Sequence, residues 1–294
     1  MSHDSELYSP DLTGFAMKSL ELGEASIIAG FFNGAEGDVS PDWDRQDRHD
    51  VLRFGGILAK AVHDVLSTTA VQRSKQIDVT TYWTHANQKS VEWVAAKFAA
   101  KPTPGAGEVG GAEDGRTVFY NYGFRGEARK NVSDKPTPDQ GVKQPALDQP
   151  LMDFLDGWEL ATVKFVLGIF GVWNLPNADG FPSEFPVGRL ELGSVAHFAF
   201  IPIEATTAVG RFIRDAVGRE TIILGLTNEY FGYTVTRNEY ALQQYEAGST
   251  ELGPNEADGI VRCSGSPNPS PRRVWSVRKH LCQVSGALIR WIPI

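Results

Sequence analysis

The stretch Ile201–Thr250, IPIEATTAVGRFIRDAVGRETIILGLTNEYFGYTVTRNEYALQQYEAGST, decides how the rest of the chain is read. The apolar run from Val195 to Ile203 predicts a strand that ends at Glu204. Thr206 and Thr207 then open a segment in which Val209, Phe212, Ile213 and Ala216 recur at helical spacing. A second strand of buried type, Thr221–Leu226, leads into the polar, aromatic turn Thr227–Tyr233, and Thr236 followed by Glu239 reads as a capping box that starts another helix. The expected fold is therefore α/β, a mixed β-sheet core with flanking helices. In open α/β sheets ligands collect at the carboxyl ends of strands, so Glu204 and the pair Tyr230 and Tyr233 are expected to form one wall of a site. A carboxylate at the end of an apolar strand is costly to bury without N–H donors, a cation or a metal. Glu204 thus either caps the following helix or binds a ligand.

Outward from this stretch, Leu190 and Leu192 precede Gly193 and the Val195 strand, which predicts a hairpin. Trp158–Trp173 is apolar enough for either a strand pair or a buried helix. Lys101–Pro150 is dense in Gly, Pro and charge, the pattern of a functional or poorly ordered excursion, with a strand expected at Thr117–Tyr122. Ile77–Trp83 alternates as a half-exposed strand does, and Val91–Ala99 suits a short helix. Nearer the start, Ala25–Phe32 suits a buried strand and runs into NGAEGDVSPDWD. There Gly34 and Gly37 permit turns, Pro41 suits a first helical turn, and Ser40 takes the N-cap position. The helix is expected to continue to Leu66, with Val51, Phe54, Leu58, Val62 and Val65 on one face.

Composition bounds the function. The chain has 294 residues, 41% of them hydrophobic and 22% charged, enough to bury a sizeable core. A net charge of -8 argues against a nucleic-acid backbone as partner, since that footprint is a basic face. No apolar run is long enough for a transmembrane helix. The start, MSHDSELYSPDL, lacks the basic and apolar regions of a signal peptide, so the chain as given reads as cytoplasmic. Both cysteines, Cys263 and Cys282, lie close to the end, and six Lys/Arg oppose two Asp/Glu from Gly253 onward. With Pro267, Pro269 and Pro271 interrupting it, that end reads as a basic tail.

There is no HExxH, no CxxC and no phosphate loop. His63 is expected to pack on its helix and His49 to be solvated, while His85 and His197 read as structural residues of strands.

Three motifs nevertheless resemble one family. F-x-N-x-x-x-GDVSP (Phe31–Pro41), P-x-E-x-TT-x-x-GR (Pro202–Arg211) and N-x-Y-x-x-Y-x-x-T-x-x-EY-x-x-x-x-YE-x-x-ST-x-x-GP (Asn228–Pro254) are similar, in order and spacing, to the neutral/alkaline ceramidases. The loop Gly105–Gly115, with Ala112 and Asp114, is a weaker match. The resemblance implies a ceramidase-type catalytic domain that hydrolyses the N-acyl bond of ceramide at a zinc ion. Carried over residue by residue, Glu204 and Tyr233 match zinc ligands, Tyr245 matches a tyrosine that hydrogen-bonds the reacting carbonyl, and Ser40 matches a serine required for activity. Asn33, Gly37 and Asp38 belong to the loop supporting that serine.

The chain also departs from the family. Two further histidine ligands would lie upstream of Met1, and His3 stands too close to Tyr8 and Asp11 to serve as one. Glu204 and Tyr233 then supply two of four protein ligands. The resemblance ends at Pro254, which divides the chain into residues 1–254, a catalytic domain truncated at both ends, and residues 255–294, a divergent tail in a shifted reading frame that is expected to extend away from the core. The family is typically secreted or held at membrane surfaces. Three other readings stay open: an inactive lipid-binding relative, a metal-independent acylhydrolase using Ser40, and a structural fragment.

Overall fold

Packing of the stretch around Glu204 organises a computed structural model that describes residues 9–23, 28–42, 44–68, 79–87, 98–99, 102–112, 115–122, 124–146, 184–193, 196–265 and 274–275. Helices α1 (Asp11–Gly23) and α2 (Arg48–Thr68) come first and pack on each other. Strand β1 (Val79–Asn87) follows, then a short helix α3 (Ala106–Gly110), a 3-10 turn at Val118–Tyr122, and the hairpin β2 (Val132–Thr137) with β3 (Gly141–Lys143). Strands β4 (Glu184–Leu192), β5 (Ala196–Phe200) and β6 (Glu204–Ala205) lead into helix α4 (Thr207–Val217), which returns the chain to β7 (Thr221–Leu224). After β8 (Tyr233–Thr234) come helices α5 (Arg237–Tyr240), α6 (Tyr245–Gly248) and α7 (Glu256–Gly265), and lastly β9 (Val274–Trp275).

The main sheet runs β7-β5-β4-β1-β9. Its β4–β5 pair is the expected antiparallel hairpin, with Leu190 opposite Phe198, and β5–β7 is parallel, as the crossover through α4 requires. The period of two puts Ala199 and Ile223 on one face, in a core with Ile201, Ile203, Val209, Ile213 and Ile260. Phe198 and Leu224 belong to a second cluster with Ala196. Mixed helices and sheet thus give the expected α/β architecture, and the capping box forms as read, Thr236 accepting from the Glu239 N–H while Glu239 accepts from the Thr236 N–H. Among the described residues no helix is long and apolar enough to cross a membrane.

Several expectations are corrected. Helix α2 starts at Arg48, because the Asp47 carboxylate accepts the Asp50 N–H at 2.9 Å, so Ser40 and Pro41 lie in a loop before it and Ser40 caps nothing. Its buried stripe centres on Gly55 and Ala59, and Val65 and His63 are exposed. Residues 28–32 form no strand: Ile28 is 95% exposed and Phe31 and Phe32 face outward. The strand expected at Thr117–Tyr122 is a 3-10 turn at Val118–Tyr122, tightened by the Tyr120 N–H bonding back to the Thr117 carbonyl. Phe212 lies outside the stripe of α4, half exposed. The chain does not leave the core at Asn255: α7 buries Ala257, Ile260 and Cys263 against α4. The end of the tail, Trp158–Trp173 and most of Val91–Ala99 lie outside the described residues.

Candidate active site

Strands β6 and β8 are a two-residue parallel ladder whose register sets Glu204 directly opposite Tyr233. The ladder is fixed from both sides, since the Glu204 N–H donates to Gly232 O at 3.0 Å and the Tyr233 N–H to Ser249 O at 3.2 Å. The GDVSP loop closes over the same strand end, with the Gly37 N–H donating to Ala205 O at 2.8 Å. Only glycine allows this approach, because a Cβ on residue 37 would stand 2.8 Å from the Glu204 carbonyl oxygen.

Asp38 takes the capping role, one of the two readings open to Glu204. Its carboxylate accepts the Thr207 N–H at 2.6 Å and the Thr207 hydroxyl at 2.8 Å, capping α4 from the loop 169 residues earlier in the chain. Glu204 is released from capping and turns to phenols instead: Tyr230 donates to it at 2.6 Å, and Tyr233 donates to it as well. Replacing Asp38 with Ala should cost about 1 kcal/mol of stability, the usual cost of a lost cap. Urea denaturation of Asp38→Ala checks this, and an unchanged midpoint would show the tether to be idle.

Tyr245 opens α6 and meets the Tyr233 ring edge to face, with centroids 5.6 Å apart and planes at 74°. Helices α6 and α3 lie backbone to backbone, the Gly105 N–H donating to Gly248 O at 2.9 Å. A Cβ on Gly105 would come within 2.7 Å of the Gly248 Cα, so neither position has room for a side chain.

Ser40, Glu204, Tyr233 and Tyr245 line one cavity of about 340 Å³, with Gly37 and Asp38 in its wall. Asn33 is not there. It lines a neighbouring groove of about 680 Å³ with Phe31, Phe32 and Trp83, and its carbonyl accepts the Gly225 N–H at 2.9 Å. Sequence reading missed Glu36, Arg116, Tyr120 and Glu127, which also line the cavity. Among the residues lining the cavity there is neither histidine nor lysine, and Thr207 occupies both oxygens of Asp38. Ser40 thus has no histidine or lysine beside it among the described residues of the cavity.

Acidic groups gather around Glu204 in the cavity. Burial, then the hydrogen bond to Glu204, pushes the Tyr230 and Tyr233 phenols up, so both remain donors. Burial likewise raises Glu36 to about 7, with the Glu204 charge adding to the rise. Both carboxylate oxygens of Glu36 are buried without a hydrogen-bond partner. An orphaned carboxylate facing a second one is a charge pattern that a metal ion relieves. Glu204 and Tyr233 fit a zinc ion as oxygen donors, short of the three or four protein ligands of a full set. Among the described residues no group of three His, Cys, Asp or Glu is placed to hold a metal.

Behind Tyr245 lies a buried ammonium that no local pattern announces. Lys143, 2% exposed, donates from Nζ to the carbonyls of Thr103 at 2.8 Å, Gly248 at 2.9 Å and Thr250 at 2.7 Å. It ties the entrance of α3 to the exit of α6, with the carboxylates of Glu251, Glu108 and Glu256 around it. Burial raises Glu108 to about 7 and Glu256 to about 8, above their ordinary 4.5. Between the unfolded and folded values the folded chain holds more protons than the unfolded one. The stability these two groups contribute is complete below their unfolded value and is lost as pH rises through 7 to 8. The urea midpoint should therefore fall between about pH 5.5 and pH 7.5, and a flat or rising midpoint would contradict these raised values.

Comparison with known proteins places the chain beside one family. The profile of the family described as "Neutral/alkaline non-lysosomal ceramidase, N-terminal" matches residues 45–262. The chain is similar to Neutral ceramidase 3 of Arabidopsis thaliana, 40% identical over 95 residues that make up 29% of this chain and 13% of that one. It is similar also to Neutral ceramidase B of Dictyostelium discoideum, 24% identical over 322 residues covering 87% of this chain and 41% of the relative. The fold is like that of the neutral ceramidase from Pseudomonas aeruginosa seen by crystallography, with a TM-score of 0.55 at 17% identity over 90% of this chain and 42% of that one. The chain thus spans less than half the length of these relatives.

Proposed function

We propose, since this chain belongs to the neutral/alkaline non-lysosomal ceramidase family, that it is the core of an amidohydrolase that cleaves the N-acyl bond of ceramide or a related N-acyl sphingolipid. The observation that supports the reading is the convergence of Ser40, Glu204, Tyr233 and Tyr245 on one cavity from three separate segments.

In this reading the Tyr245 phenol donates to the amide oxygen as negative charge gathers there; a single donor of this kind is worth about 3 kcal/mol of barrier. Ser40, on the facing loop, positions the carbonyl by its hydroxyl. Glu204 and Tyr233 would hold zinc, which when bound polarises the amide and lowers the pKa of a coordinated water to about 7. Tyr230 and Tyr233 keep the Glu204 carboxylate oriented, and Gly37 holds the Ser40 loop against it. The carboxylates of Glu36, Glu127 and Glu246 in the wall favour the amine product, which is a cation near neutral pH.

The test is release of fluorophore from a short-chain fluorescent ceramide with zinc supplied, repeated in a strong chelator. Zinc-dependent release supports the reading. Release that survives both chelator and Glu204→Gln would overturn it in favour of hydrolysis through Ser40 alone.

A further inference from the structure

The charged residues of the cavity wall are acidic apart from one. Glu36, Asp38, Glu127, Glu204 and Glu246 supply carboxylates, and Arg116 is the cation among the lining residues. The Arg116 guanidinium lies 4.2 Å from the centroid of the Tyr120 ring, and Arg125 lies 5.1 Å from the same centroid. The Tyr120 phenol donates to Glu127, which fixes the ring as a platform. Both arginines are exposed, and among the described residues neither is within ion-pair distance of a carboxylate. A guanidinium stacked on an aromatic ring keeps its N–H edges free, and those edges match a carboxylate in bidentate geometry.

Hydrolysis of an N-acyl amide adds the oxygen of water to the acyl carbon and breaks the C–N bond. One proton of the water goes to the nitrogen. The acid formed then ionises, leaving a carboxylate and an ammonium near neutral pH. The ammonium suits the acidic wall, and the carboxylate is repelled by it. We propose that Arg116, seconded by Arg125, forms an exit subsite for a long-chain carboxylate, receiving the fatty acid as it leaves the reaction centre. This rests on the amidohydrolase reading for the origin of the acid, and on the Tyr120 platform for the site.

The experiment measures binding of dodecanoate and of neutral dodecanamide, both below the concentration at which they aggregate, to the whole chain and to Arg116→Gln/Arg125→Gln. Because both side chains are solvent-exposed, the double variant should fold as the parent does. Dodecanoate should bind the parent more tightly than the amide and lose about tenfold in the variant, as expected for a charge-assisted contact, while the amide is unchanged. Added salt should weaken only the dodecanoate. Equal binding of the two ligands, or loss of both in the variant, would overturn the subsite, and would mean that the acid merely adheres to apolar surface. The outcome separates from that of the parent reading. Arginine-dependent dodecanoate binding without ceramide turnover leaves the subsite standing and removes the hydrolase. Ceramide turnover with arginine-independent binding does the reverse.

Discussion

Lys143→Met should lower the unfolding free energy by about 3–5 kcal/mol, the cost of removing one partner from a buried charged cluster. The side chain is of similar length and fits the space, so the loss is not one of packing. Three carbonyls, Thr103, Gly248 and Thr250, lose their shared donor, and Glu251, Glu108 and Glu256 lose the charge that offsets their burial. Urea denaturation gives the size of the effect. Adding Glu251→Leu to Lys143→Met should return part of it, since it removes a buried carboxylate that the loss of the Lys143 charge leaves uncompensated. A single variant within 1 kcal/mol of the parent would show that the three carbonyls find other donors at no cost.

The second large effect is on turnover. Tyr245→Phe removes the proposed carbonyl donor and keeps the ring that meets Tyr233, so kcat should fall by about 10²–10³ with little change in stability. Glu204→Gln should do at least as much and, on the proposed zinc role, also weaken the metal, because it replaces a charged candidate ligand by a neutral one. Tyr230→Phe serves as the contrast. It removes one hydrogen bond to Glu204, at 2.6 Å, from a side chain that is itself 54% exposed, so its effect on kcat should be the smaller. Equal losses in Tyr245→Phe and Tyr230→Phe, measured on the same ceramide, would place the two phenols in the same supporting role.

How far these residues could be read from sequence depends on the distance over which each is determined. The capping box at Thr236 and Glu239 and the β4–β5 hairpin are local, and both form as read. Glu204 and Tyr233 could be assigned to neighbouring strand exits, and their ladder register brings them together. Reading failed where a distant group competes. Ser40 and Pro41 look like a helix start until Asp47, seven residues on from Ser40, accepts the Asp50 N–H. The Ala25–Phe32 run has the composition of a strand, yet over residues 28–32 no ladder forms and Ile28 faces solvent. Glu204 had two readings that only Asp38, reaching Thr207, could separate. Lys143 sits in a three-residue strand with a pattern like any surface lysine, and its acceptors lie 40, 105 and 107 residues away. The helix α7 was hidden by the prolines that follow it, although Ile260 and Cys263 provide an apolar face.

The measurement closest to the central claim is anomalous scattering at the zinc edge from crystals of the chain grown with zinc. The account predicts a peak in the cavity within bonding distance, about 2.0–2.2 Å, of a Glu204 carboxylate oxygen, with the Tyr233 phenol oxygen beside it and the peak lost in Glu204→Gln. A peak elsewhere on the chain, or none at Glu204 under conditions in which the protein turns over ceramide, would contradict it.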